Sequence, residues 1–233
     1  MNLFYTTPDL VTPKLLRLTD QEAKHATRVL RIRTGDQIFV TDGNGKLFNC
    51  SVSEIHKNDV TCEILDVTLE ERKSPYITLV IGLIKKRDRL EFAVEKCVEL
   101  GADEIIVFRG DHSEKGNVRL DRVESTVLSA MKQSLRLFLP KVSFAKDLSA
   151  AIDARGKSMS LIYADETIDK GETQHLLGDQ LMLVVGPEGG FSESERSILK
   201  ERGGVAYSLG EKRLRTETAA VTITDRYKNG LLL

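Results

Sequence analysis

Cysteine is scarce in this chain of 233 residues: Cys50, Cys62 and Cys97 are odd in number, far apart and set among apolar neighbours. That excludes a disulfide framework and a C-x-x-C metal site, and it suits a reducing compartment. Long apolar runs are missing as well. No stretch approaches the roughly 20 apolar residues of a membrane span, and Pro8, Pro13 and scattered charges interrupt the N-terminus where a secretory signal needs unbroken apolar sequence. The expectation is a soluble cytoplasmic protein with no membrane partner, in which the Asn49-Cys50-Ser51 glycosylation match is a coincidence. Neither charge sign dominates: 34 basic and 35 acidic side chains leave −1, with nine Lys/Arg against eleven Asp/Glu in residues 1–72. Net charge therefore names no partner, and a nucleic-acid interface has to rest on local clusters. Internal repeats, low-complexity tracts and a G-x-G-x-x-G fingerprint are absent. Gly156-Lys157-Ser158 ends like a P-loop, but Ala151 stands where the first glycine belongs, and the preceding stretch reads as helix where a strand is needed.

The chain does have the composition of a globular protein, 41% apolar and 30% charged, and enough length for one large or two small domains. Its first third is β-rich. Thr19-Asp20-Gln21-Glu22 has capping-box spacing and opens a helix with Ala23, Ala26, Val29 and Leu30 at helical intervals up to Gly35. Strands follow at Gln37 to Thr41, Leu47 to Ile55 and Val60 to Leu69, joined by the turns Asp42-Gly43-Asn44-Gly45 and Lys57-Asn58-Asp59, which suggests a small barrel. The charged run Glu70 to Lys73 before Pro75 reads as a linker, so the domains are expected at 1–72 and 73–233. Beyond it, strands at Ile77 to Ile84, Ile105 to Phe108, Val142 to Phe144, Ser160 to Tyr163, Leu181 to Val185 and Val205 to Leu209 alternate with helices. The first helix is expected to be N-capped by Asp88 and closed by Gly101; the others fall near Leu120 to Leu137, Leu148 to Ala154, Glu193 to Arg202 and Thr216 to Asn229. That alternation predicts an α/β domain with a largely parallel sheet covered on both faces.

Two segments near the C-terminus repeat one pattern of apolar strand, glycine-bearing bend and helix: Val184-Val185-Gly186-Pro187-Glu188-Gly189-Gly190-Phe191, and Leu209-Gly210 through Lys212-Arg213-Leu214-Arg215-Thr216-Glu217-Thr218-Ala219. Bends past the carboxyl ends of such strands bind ligands, and glycine lets the main chain approach closely. Three glycines with a proline exceed what one connection needs. Glu188 and Glu193 would repel a phosphate, so a neutral or zwitterionic ligand such as an adenosine derivative suits the first bend. In the second, Lys212, Arg213 and Arg215 crowd a helix N-terminus that disfavours cations, which points to a negatively charged partner. Arg28, Arg31, Arg33 and Lys86 are either surface charge or candidate phosphate contacts, and the stripe carrying Gln133 and Arg136 reads as solvent-facing more than as a site. For His25, on the capped helix, a structural role outweighs catalysis.

With these motifs in place, the chain resembles the RsmE family of 16S ribosomal RNA uridine N3-methyltransferases, in the SPOUT class. His25 with Val29-Leu30-Arg31, Gly35-Asp36 and Asp42-Gly43-x-Gly45 resembles the family's PUA-like barrel. Glu95-Lys96, Glu99-Leu100-Gly101, Gln133-Ser134-Leu135-Arg136, the Gly186 to Phe191 bend and Leu214-Arg215-Thr216-Glu217-Thr218-Ala219 resemble its catalytic-domain motifs. The resemblance implies a C-terminal trefoil knot, homodimerisation through knot helices, no metal, and S-adenosylmethionine bound by Glu166, Val185, Gly186, Pro187, Gly189, Gly190, Leu209, Gly210, Leu214, Thr218 and Ala219. It also implies 16S rRNA, within the small ribosomal subunit, as substrate. Uracil N3 must then be unpaired and lose its proton, and negative charge spreads onto the ring oxygens. Arg215, with Arg213, is expected to stabilise that charge. Glu217 is either the proton acceptor or a helix-start residue, two roles of even weight. The alternative from another class is a non-catalytic RNA-binding or ribosome-assembly factor with a vestigial pocket.

Overall fold

The computed structural model describes residues 2–114, 116, 118–154, 159–168 and 176–230. The Gly156-Lys157-Ser158 stretch lies outside them. Two compact units result: Met1–Arg72 with Met131–Leu139, and Lys73–Ala130 with Pro140–Leu233.

The first unit is a five-stranded sheet of β1 (Leu3–Tyr5), β2 (Leu15–Thr19), β3 (Gln37–Thr41), β4 (Lys46–His56) and β5 (Asp59–Leu69), in the order β1-β3-β4-β5-β2. Inward residues of alternating position, among them Leu16, Leu18, Ile38, Val40, Phe48, Cys50, Val60 and Cys62, make its core. Past β1, the Thr6 hydroxyl donates to the Arg17 carbonyl of β2 at 2.5 Å and draws the two edges of the sheet together. β1 and β2 were not expected; three residues are too few to show alternation, and β1 is held by parallel pairing with the distant β3. The expected β3, β4 and β5 form within one residue of their ends.

The helix after β2 differs from expectation. α1 (Asp20–Lys24) runs into a wider π-type turn over His25–Val29 and stops there. The Thr19 side chain makes no cap bond. Glu22 is drawn away instead: one oxygen accepts from the Tyr5 N–H at 3.1 Å and the other pairs with Lys132. A long-range backbone donor and an ammonium outcompete the local cap. The Asp42 to Gly45 turn also has a tertiary reason. Leu139 N–H donates to the Gly43 carbonyl and Gly45 N–H to the Leu137 carbonyl, both at 2.9 Å, so the Met131–Leu139 stretch lies along the turn. A Cβ on Gly45 would sit 2.5 Å from the Phe138 ring.

The second unit is a six-stranded sheet of β6 (Tyr76–Gly82), β7 (Glu104–Phe108), β8 (Lys141–Ala145), β9 (Ser160–Ala164), β10 (Gln180–Val185) and β11 (Val205–Tyr207). Its order is β11-β9-β10-β6-β7-β8 and every pairing is parallel, as the apolar runs predict. Val80, Ile106, Phe108, Met182 and Val184 face α4 (Leu148–Asp153) and α5 (Glu193–Glu201). The opposite parity, Ile77, Leu79, Ile81, Leu181 and Leu183, is as deeply buried, and α6 (Thr216–Lys228) packs on β6 and β10 and against α2 (Arg87–Leu100). α3 (Leu120–Gln133) is the remaining helix, four residues shorter than expected. Gly101, at φ +113°, ends α2 as predicted, but Asp88 is not its cap: Lys86 is, and Asp88 falls inside the first turn, where its charge suits the helix dipole. Chain order reverses at β6 and β10, so the carboxyl ends there form the crevice in which open α/β sheets hold ligands.

Candidate active site

Loops leaving the carboxyl ends of β9, β10 and β11 meet around a cavity of about 340 Å³, and Arg89, in the first turn of α2, completes its wall. That volume is in the range of small-molecule pockets.

The β10 loop forms one wall. Gly82, ending β6, lies directly beneath it: a Cβ there would be 2.3 Å from the Pro187 nitrogen. Gly190 adopts φ +73° and donates its N–H to the Pro187 carbonyl at 2.8 Å, closing a turn whose Gly186 and Gly190 line the cavity without side chains. Phe191 carries the chain back into the core, edge-on to Tyr163 at 6.1 Å between ring centroids. Ser192 and Glu195 then form the expected capping box at the start of α5. Glu195 does more than cap, because it also accepts the Asp111 N–H at 3.1 Å and so ties down the loop after β7. Asp111 accepts in turn from the Ser192 and Ser194 hydroxyls, at 2.6 and 2.9 Å, and these bonds hold its carboxyl below the ordinary 3.8.

The β9 loop is a second wall. Asp165 is buried there. Burial alone would push its carboxyl up, but hydrogen bonds from Arg196 (Nε, 3.1 Å) and from the Thr167 N–H and hydroxyl prevail and hold it below 3.8. Arg196 also donates to the Phe191 carbonyl at 2.6 Å, joining the β9 and β10 loops. Arg226 of α6 holds the third loop by donating to the Leu209 carbonyl at 3.2 Å. On that loop Arg215 is the N-terminal flank of α6, in extended conformation, and no side chain caps the helix. Arg213 Nε lies 3.1 Å from Glu166 Oε2. Arg89 stands between two carboxylates, its Nη1 3.4 Å from Glu188 Oε1 and its Nε 3.7 Å from Glu217 Oε1. Glu217 is buried, and among the described residues its Oε2 has no hydrogen-bond partner.

Of the residues expected to hold a cofactor, Glu166, Val185, Gly186, Pro187, Gly190, Leu209, Gly210, Leu214 and Ala219 line this cavity, together with the expected catalytic residues Arg213, Arg215 and Glu217. Gly189 and Thr218 are not in the lining. Gly189 faces the loop after β7 instead, where a Cβ would lie 2.7 Å from that of His112. Thr218 is exposed on α6. Arg28, Arg31 and Arg33 are exposed on the first unit, as is Gln133 at the end of α3, while Arg136 just beyond is half-buried. Lys86 is exposed on the second unit. Sequence reasoning missed Arg89, Asp165 and Arg196. A signal existed for Arg89, since a cation in the first turn of a helix opposes the dipole unless something compensates it.

The cavity lining combines acidic and basic groups with the apolar Val185, Phe191, Leu209, Leu214 and Ala219, a mixture suited to a zwitterion with an apolar body. Among the described residues, no group of three or more His, Cys, Asp or Glu is placed to hold a metal ion. Burial pushes the Cys50, Cys62 and Cys97 thiols up to about 12, which removes them as nucleophiles at neutral pH.

Comparison with known proteins bears on the same features. Residues 71–228 match the family model of an RNA methyltransferase domain, and residues 18–65 that of an RNA methyltransferase PUA domain. The chain is 30% identical over 217 residues to the ribosomal RNA small subunit methyltransferase E of Bacillus subtilis, covering 87% of this chain and 85% of that one. It is 32% identical to the protein of the same name from Aquifex aeolicus, over 98% of this chain and all of the other. Among solved structures, the ribosomal RNA small subunit methyltransferase E of Neisseria gonorrhoeae bound to S-adenosyl methionine superimposes with a TM-score of 0.81 at 32% identity, covering 96% of this chain and 95% of that one.

Proposed function

The chain belongs to the ribosomal RNA small subunit methyltransferase E family, and on that premise we propose that it transfers a methyl group from S-adenosylmethionine to N3 of a uridine in 16S rRNA of the small ribosomal subunit. The observation that carries this reading is the cavity itself: two glycine-bearing bends at strand carboxyl ends, one of them bordered by Arg213, Arg215 and Glu217. The donor fits these residues. Gly186 and Gly190 let the main chain come close to an adenine ring, the apolar lining accepts its body, and carboxylates and guanidiniums stand ready for the amino acid end.

When bound, the donor supplies a methyl group already activated by the sulfonium charge, so the chain's task is alignment. The uracil ring has to be unpaired, with N3 brought into line. Arg215, assisted by Arg213, stabilises the charge that spreads onto the ring oxygens as N3 loses its proton, because a guanidinium stays cationic and donates in a fork. Glu217 faces the same cavity as an acceptor. The PUA unit grips RNA backbone through Arg28, Arg31 and Arg33 and sets register without reading sequence, with Lys86, Gln133 and Arg136 as further contacts. A trefoil knot around the cavity, a homodimer and a cytoplasmic location belong to the same reading, and light scattering after size exclusion tests the dimer.

The deciding experiment offers methyl-labelled S-adenosylmethionine with small subunits lacking the modification and, separately, with stripped rRNA, and maps the label by mass spectrometry. One labelled uridine, substituted at N3, is expected from intact subunits. Label on another base, or none, overturns the proposal.

A further inference from the structure

Glu217 is an anomaly in electrostatic terms. Its side chain is only 9% exposed, its Oε2 is buried with no partner among the described residues, and its Oε1 lies 3.7 Å from Arg89 Nε, too long for a direct hydrogen bond. A buried carboxylate oxygen left bare is costly, and native structures satisfy such atoms or use them. Glu217 also lines the cavity, so its carboxylate is placed to meet a donor on a bound ligand. Arg89 is anomalous in the complementary sense. It occupies the first turn of α2, where a cation opposes the helix dipole, and it reaches between Glu188 and Glu217. Glu188 is itself braced, accepting the Lys85 N–H at 3.3 Å. The guanidinium is thus anchored on one carboxylate and lends its charge to the other.

Resting on the function proposed above, we infer that Arg89 is the positioning residue for methyl transfer: it holds the Glu217 carboxylate in the cavity wall, where that carboxylate receives the N3 proton of the uracil ring. In the step, the N3–H bond breaks and its proton goes to the Glu217 carboxylate. The N3 electron pair forms the new N–C bond to the methyl carbon, and the C–S electron pair stays on the donor sulfur, which ends as a neutral thioether. A neutral base, a sulfonium and a carboxylate become a neutral methylated base, a thioether and a carboxylic acid.

The test compares the full-length wild type with Arg89→Met and Arg89→Lys in three measurements: donor affinity by calorimetry, and kcat and KM on unmodified small subunits. Positioned proton acceptors contribute on the order of 10²–10⁴ in rate. Arg89→Met is expected to lose about 10² in kcat, with donor affinity and KM for subunits within threefold of wild type. Arg89→Lys, which keeps a cation, should recover at least tenfold of that loss. If Arg89→Met keeps wild-type kcat, the inference is wrong. If its donor affinity falls while kcat at saturating donor is unchanged, Glu217 meets the donor's ammonium instead, and the inference is equally wrong. A wild-type protein that methylates some other atom of the RNA defeats the functional reading and with it the N3 step, whereas unchanged kcat in Arg89→Met beside correct N3 labelling by the wild type defeats the role of Arg89 alone. Calorimetry shows that each variant is folded before its rate is read.

Discussion

At Gly82 the missing side chain is a matter of space. The carboxyl end of β6 passes so close beneath the Pro187 bend that any Cβ would meet backbone, which cannot rotate away. Gly82→Ala should therefore displace the bend, lowering donor affinity at least tenfold in calorimetry and stability by about 1–3 kcal/mol in thermal denaturation. Asp165 makes a different kind of contribution, because its carboxylate holds Arg196 and through it the Phe191 carbonyl. Its folded carboxyl titrates below 3.8, so the stability from this network is complete above pH 3.8 and is lost as pH falls through the folded value. Asp165→Asn should cost about 2 kcal/mol at neutral pH. Denaturant titrations repeated toward acid should show that difference shrinking once the pH is below 3.8.

Among the elements, α5 shows why one capping signature is realised and another is not. Ser192-x-x-Glu195 and Thr19-x-x-Glu22 have the same spacing, yet only the first closes reciprocally. Glu195 finds its second partner, the Asp111 N–H, without leaving the Ser192 N–H, whereas Glu22 is taken by Tyr5 and Lys132, distant in sequence. Glu195→Ala then removes both a cap and the staple on the loop after β7. A loss of about 2–3 kcal/mol in urea denaturation is expected, against about 1–2 kcal/mol for Ser192→Ala, which removes the cap and the hydroxyl's bond to the Asp111 carboxylate but leaves the Asp111 N–H bonded to Glu195. Faster hydrogen exchange at the Asp111 N–H should accompany Glu195→Ala; exchange there as slow as in the wild type would mean that the staple contributes nothing. Element limits followed apolar period closely, so β3 to β10 and α4 to α6 were legible. The short β1, which leans on the distant β3, was not. Nor was the early end of β11, where Leu209 leaves the sheet and its carbonyl goes to Arg226.

On the scale of the whole molecule, the first unit offers exposed Arg28, Arg31 and Arg33 on a chain whose net charge is near zero, so attraction to RNA has to be local. Binding of small-subunit RNA is expected to weaken with salt. Arg31→Ala should reduce affinity and lower the slope of log affinity against log salt by about 0.7–0.9, the value of one phosphate contact; filter binding across a salt series that leaves both unchanged would remove Arg31 from the interface. The division of the chain carries a lesson of its own: Met131–Leu139 is grouped with the first unit because Leu137, Phe138 and Leu139 lie against Gly43 and Gly45. No local signal announces such an excursion. The parallel sheet, the paired strand-bend-helix segments and the cluster Arg213, Arg215 and Glu217 could be read from the chain alone, because periodicity, glycine placement and charge at a helix start are properties of neighbours in sequence. The partners of Glu22, the bracing of Asp165 by Arg196, and the meeting of Arg89 with Glu188 and Glu217 needed the folded chain. Each joins side chains that only the strand order β9-β10-β6 brings within reach, or that compete for acceptors whose strength burial sets, and neither distance in space nor burial is written in local order.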